Sequence, residues 1–372
     1  MRILYNGLCV AGHLSGVQYY AAHLMHEALF GNAAAGAGTF HAVVNRDYAR
    51  TSSLAAPCTE VPVQGRAGRI AYEHLRLPRL FADGGFDLLH CPAYILPWGF
   101  RGRSVLTVHD LIALQYPHYC KRLSSIYFGM SLGRSIRRAD RIIAVSQRVR
   151  EDILGRFPVA PEKISVIHLG VDPMFRPVDD PLRCGAVRRR YALPDRFLLF
   201  VGNIEPKKNL ERLLEAFRQF TRRNVSDHKL VIAGQFAWRY DGVIRTLNRL
   251  KLTDRVMLLG YVPREELPAL YSLADLFVFP SLYEGFGLPP LEAAACGAPV
   301  LVSYAGALPE IAGEHARYVD PLSVEDMADG IDKALADGTW RKLCRETGPA
   351  RAASFSWQRT WTETQAVYQS LM

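Results

Sequence analysis

Two adjacent lysines, Lys207 and Lys208, stand in a segment whose residue types fit the binding of phosphate. The segment reads FVGNIEPKKNL, in which an apolar run passes through Gly202 and Asn203 into a loop, and a helix is predicted to begin at the lysines. Cations are unfavourable at the start of a helix, because the helix dipole is already positive there. A bound anion removes this cost, and a diphosphate gains negative charge as its bond to a sugar breaks. The sequence therefore predicts a diphosphate site, with a solvated loop as the alternative.

Two glutamates, Glu284 and Glu292, flank a glycine-rich loop in the segment PSLYEGFGLPPLE. The two prolines suit a helix start, so we predict that Glu292 lies in the first helical turn and Glu284 in the loop. Carboxylates accept hydrogen bonds from neighbouring hydroxyls such as those of a ribose or a hexose. A first-turn acid that only offsets the helix dipole is the alternative for Glu292. The open loop between them, whose amides can face a ligand, consists of Gly285, Phe286, Gly287 and Leu288.

A histidine and an aspartate, His109 and Asp110, directly follow the strand-like run VLTV. A histidine at the end of a strand can donate a hydrogen bond to a phosphate or to a sugar hydroxyl. Asp110 can orient the imidazole ring or act separately. A pair that only fixes the following loop is the alternative.

A glycine turn, GHLSGV at residues 12–17, separates the first predicted strand from the first predicted helix. Its glycines let the backbone approach a ligand, and the helix that begins near Gly16 presents free amide groups to an anion. The turn lacks the G-x-G-x-x-G spacing of a dinucleotide site. A simple tight turn is the alternative.

The elements that must position these residues are predicted from apolar runs that alternate with helical segments, the pattern of parallel sheets built from βα units. Predicted strands lie near residues 2–6, 40–45, 87–90, 104–108, 141–145, 164–168, 197–201, 229–233, 256–260, 275–279, 299–302 and 316–319. Predicted helices lie near residues 17–30, 67–82, 122–137, 147–155, 209–222, 241–250, 264–272, 289–296, 307–312 and 323–336. Doubly wound sheets bind ligands outside the carboxyl ends of their strands, so two such units predict a cleft lined by the segments above.

The boundary between the two predicted domains lies in the proline-rich, charged stretch 173–196. We expect an N-terminal Rossmann-like domain over 1–177, which binds the acceptor, and a C-terminal one over 178–354, which binds the donor. The tail, residues 355–372, is predicted to form an amphipathic helix that returns to the first domain. Its expected buried side chains are Trp357, Trp361, Val367 and Tyr368.

Composition excludes several classes of protein. With 49% apolar and 22% charged residues, the chain has the balance of a soluble globular protein, and no apolar run approaches the roughly 20 residues of a membrane-spanning helix. A cleaved signal peptide is not expected at the start of the chain. The seven cysteines are scattered and include no C-x-x-C pair, which argues against a disulfide framework and a structural zinc site. We therefore expect a cytoplasmic protein.

The positive charge of the chain is concentrated in its first half. Residues 1–180 carry 20 lysines and arginines against 14 acidic residues, whereas residues 197–372 carry 20 against 21. This asymmetry favours an anionic partner such as a phosphate-bearing acceptor, an acidic membrane face or nucleic acid, with a solvated basic surface as the alternative. A basic amphipathic helix near 122–141 could lie on an anionic membrane. Its arginines are Arg122, Arg134, Arg137, Arg138 and Arg141.

Taken together, these motifs resemble the retaining glycosyltransferases of family 4, which have the GT-B fold of two facing Rossmann-like domains. The glutamate pair separated by seven residues matches the family's paired acids, and FVFPSLYEGFGLPPLEAAACGAPVLVSYAGALPEIAG is similar to the family throughout. Similar segments are VGNIEPKKNL, SVIHLGVDPMFRP, TVHDL, RIIAVSQ and the closing FSW…VY helix. The resemblance covers nearly the whole chain.

The resemblance implies roles for individual residues. Glu292 would hold the ribose hydroxyls of a nucleotide-sugar donor, and Glu284 would contact the transferred sugar. Lys208, with Lys207 beside it, would bind the diphosphate, and His109 would lie near sugar and phosphate. His109, Lys208 and Glu284 would thus be the catalytic residues. Gly16 matches the family's first glycine loop, and Gly202, Asn203 and the loop 285–288 would complete the donor site.

The chain departs from the family in two places. Asn203 replaces a frequent arginine, which leaves less positive charge for the phosphates, and the first loop has Ser15-Gly16 in place of two glycines. The family transfers sugars with retention, without a metal ion or an assigned protein nucleophile. Consistent with this, no D-x-D motif occurs in the chain, and no cofactor besides the nucleotide-sugar co-substrate is expected.

The substrates are predicted from the same resemblance. The form GNIEPKKN with LPEIAG is similar to bacterial polysaccharide mannosyltransferases that use GDP-mannose, with GDP-rhamnose and UDP- or ADP-sugars as alternatives. A glycan or lipid-linked glycan on the inner face of the cell membrane is the expected acceptor, and no nucleic-acid partner is expected. The absent dinucleotide motif argues against an NAD-dependent oxidoreductase. A nucleotide-sugar epimerase and a binding protein with a lapsed site are the remaining alternatives.

Overall fold

The structure, a computed structural model, describes residues 1–11, 14, 16–31, 38–52, 57–117, 122–223 and 226–372. The chain divides into a first unit, Met1–Gly170 with Ser356–Met372, and a second unit, Val171–Phe355. The first boundary lies ahead of the predicted one at 177/178, because the residues that follow Gly170 bond within the second unit. The Val171 N–H donates to the Phe355 carbonyl at 2.9 Å, and the Val178 N–H donates to Ser272 Oγ at 3.0 Å.

The first unit is built on a seven-stranded sheet in the order β3-β2-β1-β4-β5-β6-β7, in which every pair of neighbours is parallel. The strands are β1 Arg2–Asn6, β2 Thr39–Asn45, β3 Cys58–Val61, β4 Leu88–Cys91, β5 Arg103–Val108, β6 Arg141–Ala144 and β7 Ile164–Val166. The sequence did not predict β3. Its residues, CTEV, are half polar and mostly not buried, because an edge strand needs no continuous apolar run.

Eight helices of the described residues belong to the first unit. They are α1 Gly16–Phe30, α2 Arg46–Thr51, α3 Gly65–Leu75, α4 Leu77–Asp83, α5 Ile112–Gln115, α6 Arg122–Arg138, α7 Gln147–Arg156 and α16 Trp357–Gln369. The single helix predicted over 67–82 is wrong, since α3 and α4 meet at Arg76. Pro78 stands in the first turn of α4, where proline is tolerated, whereas inside one continuous helix it would remove a backbone hydrogen bond and its ring would clash with the preceding turn.

The second unit is built on a six-stranded sheet in the order β10-β9-β8-β11-β12-β13, again parallel throughout. Its strands are β8 Phe197–Val201, β9 Lys229–Ala233, β10 Val256–Gly260, β11 Leu276–Phe279, β12 Val300–Ser303 and β13 Ala316–Val319. Its helices are α8 Pro181–Tyr191, α9 Leu210–Arg223, α10 Asp241–Arg249, α11 Leu267–Leu273, α12 Leu288–Ala295, α13 Leu308–Ala312, α14 Val324–Ala336 and α15 Gly338–Ala353. The predicted fold class, two α/β units with parallel sheets, is confirmed.

The proline-rich stretch 173–196 is not a plain linker, because it contains α8. The helix begins at Pro181, whose missing N–H costs nothing in a first turn, and Asp180 caps it by accepting from the Leu182 N–H at 2.9 Å. The prolines therefore mark a helix start as well as a boundary. The sequence also missed α15, which follows α14 after a single residue.

The tail helix α16 closes the first unit. Ser356 caps it, and the predicted buried side chains Trp357, Trp361, Val367 and Tyr368 are indeed buried. Gly170, the last residue of the first segment of this unit, lies against the start of α16. A Cβ on Gly170 would lie 2.3 Å from the Trp357 backbone nitrogen. Only glycine leaves room for this approach.

We predict that Gly170→Ala lowers the stability of the first unit by about 1–3 kcal/mol, because α16 must move to relieve the overlap. Thermal unfolding monitored by tryptophan fluorescence measures the change, since Trp357 and Trp361 lie on α16. Gly155→Ala is the matched control: Gly155 lies within α7, and a Cβ there meets nothing within 4 Å. It should gain about 0.4–1 kcal/mol. An equal effect of both substitutions would contradict the close approach at Gly170.

Candidate active site

The loops that follow β8 and β11 carry the lysines and the first glutamate, and these strands are neighbours in the second sheet. Lys208 Nζ donates to Glu284 Oε1 at 2.5 Å, and Lys207 Nζ lies 3.9 Å from Glu284 Oε2. Lys208 and Glu284 are both buried. The structure therefore brings together three residues that the sequence placed in two separate segments.

The lysine loop differs from the prediction in one respect. The lysines do not begin a long helix but end a 3-10 turn, Pro206–Lys208, and α9 begins two residues later at Leu210. Asn209 stands between them with φ of 61°, and its side-chain amide donates to the Pro280 carbonyl at 3.1 Å. Asn209 thereby ties the loop after β8 to the end of β11. Sequence reasoning did not single out Asn209 beyond its place next to the lysines.

The charges of this cluster stabilise one another. Burial by itself raises the pKa of Glu284, but the ammonium groups of Lys208 and Lys207 outweigh it, so the pKa lies below the usual carboxyl value. Burial lowers the pKa of Lys208, and Glu284 counteracts this effect. The ring of Phe279, 4.6 Å from Lys208 Nζ, adds a cation–π contact. Both ammonium groups face Glu284, and Lys207 Nζ also lies 3.7 Å from Glu205 Oε1, so two cations are set among two carboxylates.

The glycine loop after Glu284 is not open, contrary to the prediction. Gly285, Phe286 and Gly287 are buried, and Leu288 begins α12. A Cβ on Gly287, which has φ of +112°, would lie 2.7 Å from Leu308 Cδ2. Gly287 therefore serves close packing, and the sequence pattern alone did not distinguish this from ligand contact.

A second loop, which follows β12, holds the backbone of Glu284 in place. The Ala307 N–H donates to the Glu284 carbonyl at 2.8 Å. A Cβ on Gly306, which has φ of +58°, would lie 2.2 Å from the same carbonyl oxygen. Gly306 therefore positions Glu284, although sequence reasoning did not select it. One feature of the sequence could have pointed to Gly306: like Gly202, it lies between a predicted strand and a predicted helix.

Glu292 lies one turn inside α12, not in its first turn as predicted. The helix dipole therefore does not explain the residue. Its carboxylate is buried, accepts from the Tyr271 hydroxyl at 3.2 Å and lies 3.4 Å from Arg264 Nη1. Burial raises the pKa of Glu292, although Arg264 and the Tyr271 hydrogen bond act against it. Sequence reasoning singled out neither partner.

Gly202 and Asn203, the other predicted site residues of the lysine loop, directly follow β8. The Gly202 N–H donates to the Ala233 carbonyl at 2.9 Å, and a Cβ on Gly234 would lie 1.9 Å from the Gly202 oxygen. The carboxyl ends of β8 and β9 therefore approach so closely that position 234 requires glycine. Asn203, next in the chain, is exposed.

In the first unit, His109 is buried at the end of β5, and its chemistry differs from the prediction. Its Nε2 lies 2.8 Å from the Pro92 carbonyl, which can only accept, so Nε2 carries the proton and Nδ1 is an acceptor. Burial lowers its pKa to about 4, so the ring is neutral at neutral pH. Asp110 does not orient the ring, because it accepts from the Tyr94 hydroxyl and the Ile112 N–H. His109 is therefore suited to accept a hydrogen bond from a hydroxyl rather than to donate one.

Gly16 is the first residue of α1, and a Cβ there meets nothing within 4 Å. Packing of the described residues therefore does not require glycine at this position. Residues 12, 13 and 15 of the predicted glycine turn lie outside the described residues.

Groups of three or more His, Cys, Asp or Glu side chains that could hold a metal ion are absent from the part of the chain that the structure describes. The positive charges of the cluster of Lys207, Lys208 and Glu284 are the two lysine ammonium groups.

We predict that Lys208→Met lowers the free energy of unfolding by on the order of 3 kcal/mol at about pH 7, because Glu284 is left buried without its nearest cation. The pKa of Glu284 lies below its usual value in the native fold, so the pair stabilises the fold above that usual value and loses its effect as the pH falls through the lower, folded value. The deficit should therefore shrink at low pH, which urea unfolding at about pH 7 and about pH 4 measures.

The double variant Lys208→Met with Glu284→Gln is the control, since it removes both charges and should recover most of the stability. A deficit that is the same at both pH values and in the double variant would show that Lys208 contributes packing and not charge.

Comparison with known proteins places this geometry in a family. A family model described as "Glycosyltransferase Family 4" matches residues 31–175, and one described as "Glycosyl transferases group 1" matches residues 188–351. The chain is 34% identical to the O-antigen chain mannosyltransferase B of Escherichia coli over 285 residues, which are 76% of this chain and 74% of that protein. It is 32% identical to the serotype-specific mannosyltransferase WbdA of Escherichia coli over 286 residues, 75% of this chain. That alignment spans only 35% of WbdA, about a third of its length.

Among solved structures, the fold is similar to that of Anabaena Alr3699/HepE in complex with UDP and glucose. The TM-score is 0.77 at 19% sequence identity, and the match covers 100% of both chains. At this identity the likeness concerns the fold. Together with the identity to the Escherichia coli enzyme, it shows that the chain belongs to the family 4 glycosyltransferases of group 1, which have the GT-B fold and transfer hexoses.

Proposed function

We propose that this glycosyltransferase moves mannose from GDP-mannose, with retention of configuration, onto a glycan or lipid-linked glycan of a cell-surface polysaccharide. The observation that carries the proposal is the cluster of the buried Lys208 and the half-buried Lys207 around the buried Glu284. The choice of mannose is supported by two relatives, both of which are mannosyltransferases by name. The name of the first relative refers to the O-antigen chain, and that of the second to a serotype. This chain covers only about a third of WbdA.

The cluster suggests how the donor is received. Without a ligand, both oxygens of Glu284 lie near ammonium groups, at 2.5 Å and 3.9 Å. A diphosphate carries more negative charge than one carboxylate, so it competes for both lysines. Once the lysines turn to the phosphates, Glu284 regains acceptor capacity for the hydroxyls of the sugar. The ion pair would thus hold the lysines and Glu284 in position until the diphosphate of the donor takes the place of the Glu284 carboxylate beside the lysines.

The chemical step follows from where the charge goes. The bond between the sugar C1 and the phosphate oxygen breaks, and its electron pair passes to the leaving diphosphate. Lys207 and Lys208 stabilise that charge as it develops, and fixed cations in a buried site need no reorganisation. The acceptor oxygen bonds to C1 on the same face, and its proton passes to the leaving phosphate oxygen. The products are a glycoside with retained configuration and GDP.

One further residue of the second unit completes the proposed donor site, and the proposal also gives a role to one residue of the first unit. Glu292, which accepts from Tyr271, would accept from the ribose hydroxyls of the donor. His109 would accept a hydrogen bond from a sugar hydroxyl through Nδ1, because Nε2 is used by the Pro92 carbonyl. No metal ion is required in this scheme, since the lysines supply the charge that neutralises the diphosphate.

We predict that GDP raises the melting temperature more than UDP at equal concentration, and that GDP is released only when GDP-mannose and an acceptor are both present. Lys208→Met and Lys207→Met should each lower kcat/KM by about 100- to 1000-fold, the usual cost of losing one charge-stabilising group. Differential scanning fluorimetry and a GDP-release assay measure these effects. Lys342→Met is the matched control, because Lys342 pairs only weakly, at 3.8 Å, with Glu346 on the surface.

A larger shift with UDP would overturn the choice of donor. Nucleotide binding without turnover on any acceptor would favour the alternative of a binding protein with a lapsed site. Equal losses in the Lys342 variant would show that the effect of the substitutions is general.

For the membrane, we propose contact with anionic lipid through a patch of the first unit that we term the Trp98 patch, defined by Leu75, Trp98 and Met130. These apolar side chains are exposed by 67%, 46% and 69%. They lie on α3, the loop after β4 and α6, which converge on Trp98. Trp98 N–H donates to His74 Nδ1 at 3.1 Å, and its indole N–H donates to Ser131 Oγ at 3.3 Å.

Exposed arginines lie on the same three segments and on the adjoining α4. Arg134 Nη2 donates to the Trp98 carbonyl at 2.9 Å, and Arg138 Nη2 donates to the Phe100 carbonyl at 3.0 Å. An exposed tryptophan with apolar neighbours and a surrounding positive charge suits the boundary of an anionic bilayer. Exposed arginines on or next to these segments include Arg76, Arg79, Arg101, Arg134 and Arg138.

This surface differs from the amphipathic helix predicted at 122–141. The helix α6 ends at Arg138, and Leu132 and Ile136 face the core, so α6 contributes Met130 rather than a whole apolar face. Arg141 begins β6, and the side chain of Arg122 lies outside the described residues. Among those residues, no helix combines the length and apolar character needed to cross a membrane.

We predict that the protein sediments with vesicles of phosphatidylcholine and phosphatidylglycerol and is released as salt rises from about 0.1 M to about 1 M, where the Debye length falls from about 10 Å to about 3 Å. Trp98→Ser with Met130→Ser should lower binding several-fold, because both apolar anchors are lost. Leu182→Ser is the control, since Leu182 is 81% exposed on α8 of the second unit. Vesicle binding that depends neither on salt concentration nor on lipid charge would contradict the proposed contact with anionic lipid.

A further inference from the structure

Arg264 lies between two carboxylates of the second unit. Its Nη1 is 3.4 Å from Glu292 Oε1, and its Nη2 is 3.6 Å from Asp172 Oδ2. The guanidinium carbon lies 4.8 Å from the centre of the Phe175 ring, which supports the group from one side. A closed arginine–carboxylate pair has N–O distances of about 2.7–2.9 Å. Arg264 is therefore shared by two anions without closing on either.

The surroundings of Glu292 make this shared cation important. The glutamate side chain is 8% exposed, and the groups that face it are Arg264, Tyr271, Asp172 and, one turn further along α12, Cys296. Burial raises the pKa of Glu292, Asp172 raises it further, and Arg264 lowers it. Burial also raises the pKa of the Cys296 thiol and of the Tyr271 hydroxyl, so both stay neutral. Arg264 is thus the one cation among these groups.

Arg264 and Tyr271 each use one acceptor position of the Glu292 carboxylate. A carboxylate offers about four acceptor positions, two on each oxygen. Arg264 approaches Oε1, and the Tyr271 hydroxyl donates to Oε2 at 3.2 Å. With respect to these two contacts among the described residues, one position on each oxygen stays available, which matches the two neighbouring hydroxyls of a ribose. If Arg264 closed on Glu292 as a two-pronged pair, it would also occupy the second position on Oε2 and leave one acceptor position for two hydroxyls.

We propose that Arg264 is a positioning residue that keeps Glu292 ionised and aimed at the ribose of the donor, and that Asp172 holds Arg264 back from closing on Glu292. The inference rests on the proposed function, in which Glu292 accepts from the ribose hydroxyls. It makes the arginine and the aspartate determinants of the preference for a ribonucleotide, although neither contacts the nucleotide itself.

The first test is the affinity for GDP and for 2′,3′-dideoxy-GDP, measured by calorimetry. Arg264→Met should weaken GDP binding by about 10- to 100-fold, the effect of losing a charged hydrogen-bond network, and leave dideoxy-GDP nearly unchanged. KM for GDP-mannose should rise with little change in kcat, because the role is in binding. Arg264→Lys should restore part of the loss. The control is Arg249→Met, since Arg249 pairs with Glu215 on the surface and should have no effect.

The second test is the pH dependence of GDP affinity, which Arg264→Met and Asp172→Asn should shift in opposite directions. Binding requires ionised Glu292 and is lost as the pH falls through its pKa. Arg264→Met removes the cation and moves this loss to higher pH, whereas Asp172→Asn removes a neighbouring anion and moves it to lower pH. The phosphates of GDP titrate alike in every variant, so the differences between variants report on Glu292.

The outcomes separate the inference from the proposed function. If the unaltered protein binds GDP and dideoxy-GDP equally, Glu292 does not hold the ribose and the proposed site itself is wrong. If it distinguishes them while Arg264→Met keeps the distinction and the same pH dependence, only the role of Arg264 is overturned. If Arg264→Met does not fold, Asp172→Asn decides, since a loss of GDP affinity at lower pH than in the unaltered protein supports the inference and an unchanged pH profile contradicts it.

Discussion

The buried contact between Lys208 and Glu284 is the interaction on which the rest of the site depends. Two opposite charges removed from water are stable only when each finds its partner in good geometry. The surrounding loops meet this condition. Asn209 fixes the lysine loop to the end of β11, and Gly306 lets the loop after β12 reach the Glu284 carbonyl. The neighbouring order of β8, β11 and β12 in the sheet makes all three loops converge.

The two glutamates of the motif belong to different electrostatic environments, although the sequence presents them as a pair. Two ammonium groups lower the pKa of Glu284 despite its burial, whereas burial outweighs one shared guanidinium and raises the pKa of Glu292. Glu284 is therefore held by strong charge pairing that a diphosphate can replace. Glu292 is held by weaker contacts that leave acceptor positions free. This difference fits one glutamate at the reacting end of a donor and the other at its ribose.

In the first unit, a buried chain of hydrogen bonds connects the tail helix to the neighbourhood of His109. The Tyr368 hydroxyl lies 2.6 Å from His90 Nδ1, His90 Nε2 lies 2.9 Å from Thr107 Oγ1, and Thr107 lies 3.0 Å from the Tyr20 hydroxyl. The Tyr20 ring packs edge-on against His109 with a centroid distance of 4.8 Å. The last helix of the chain therefore stabilises the wall against which His109 is held, which explains why α16 belongs to this unit.

The sequence by itself determined the fold class and the strands of both sheets except β3, and it singled out Lys208, Glu284, Glu292 and His109 as candidate site residues. These features depend on local patterns, since buried parallel strands need continuous apolar runs and motif residues stand at fixed distances from strand ends. Tertiary structure decided which of them meet, because Lys208 and Glu284 lie 76 residues apart and only the strand order makes them neighbours. It also decided the proton-bearing nitrogen of His109 and the partnership of Arg264 with Asp172 and Glu292. Hydrogen-bond direction and charge sharing depend on atoms from distant segments, and no spacing in the chain encodes them.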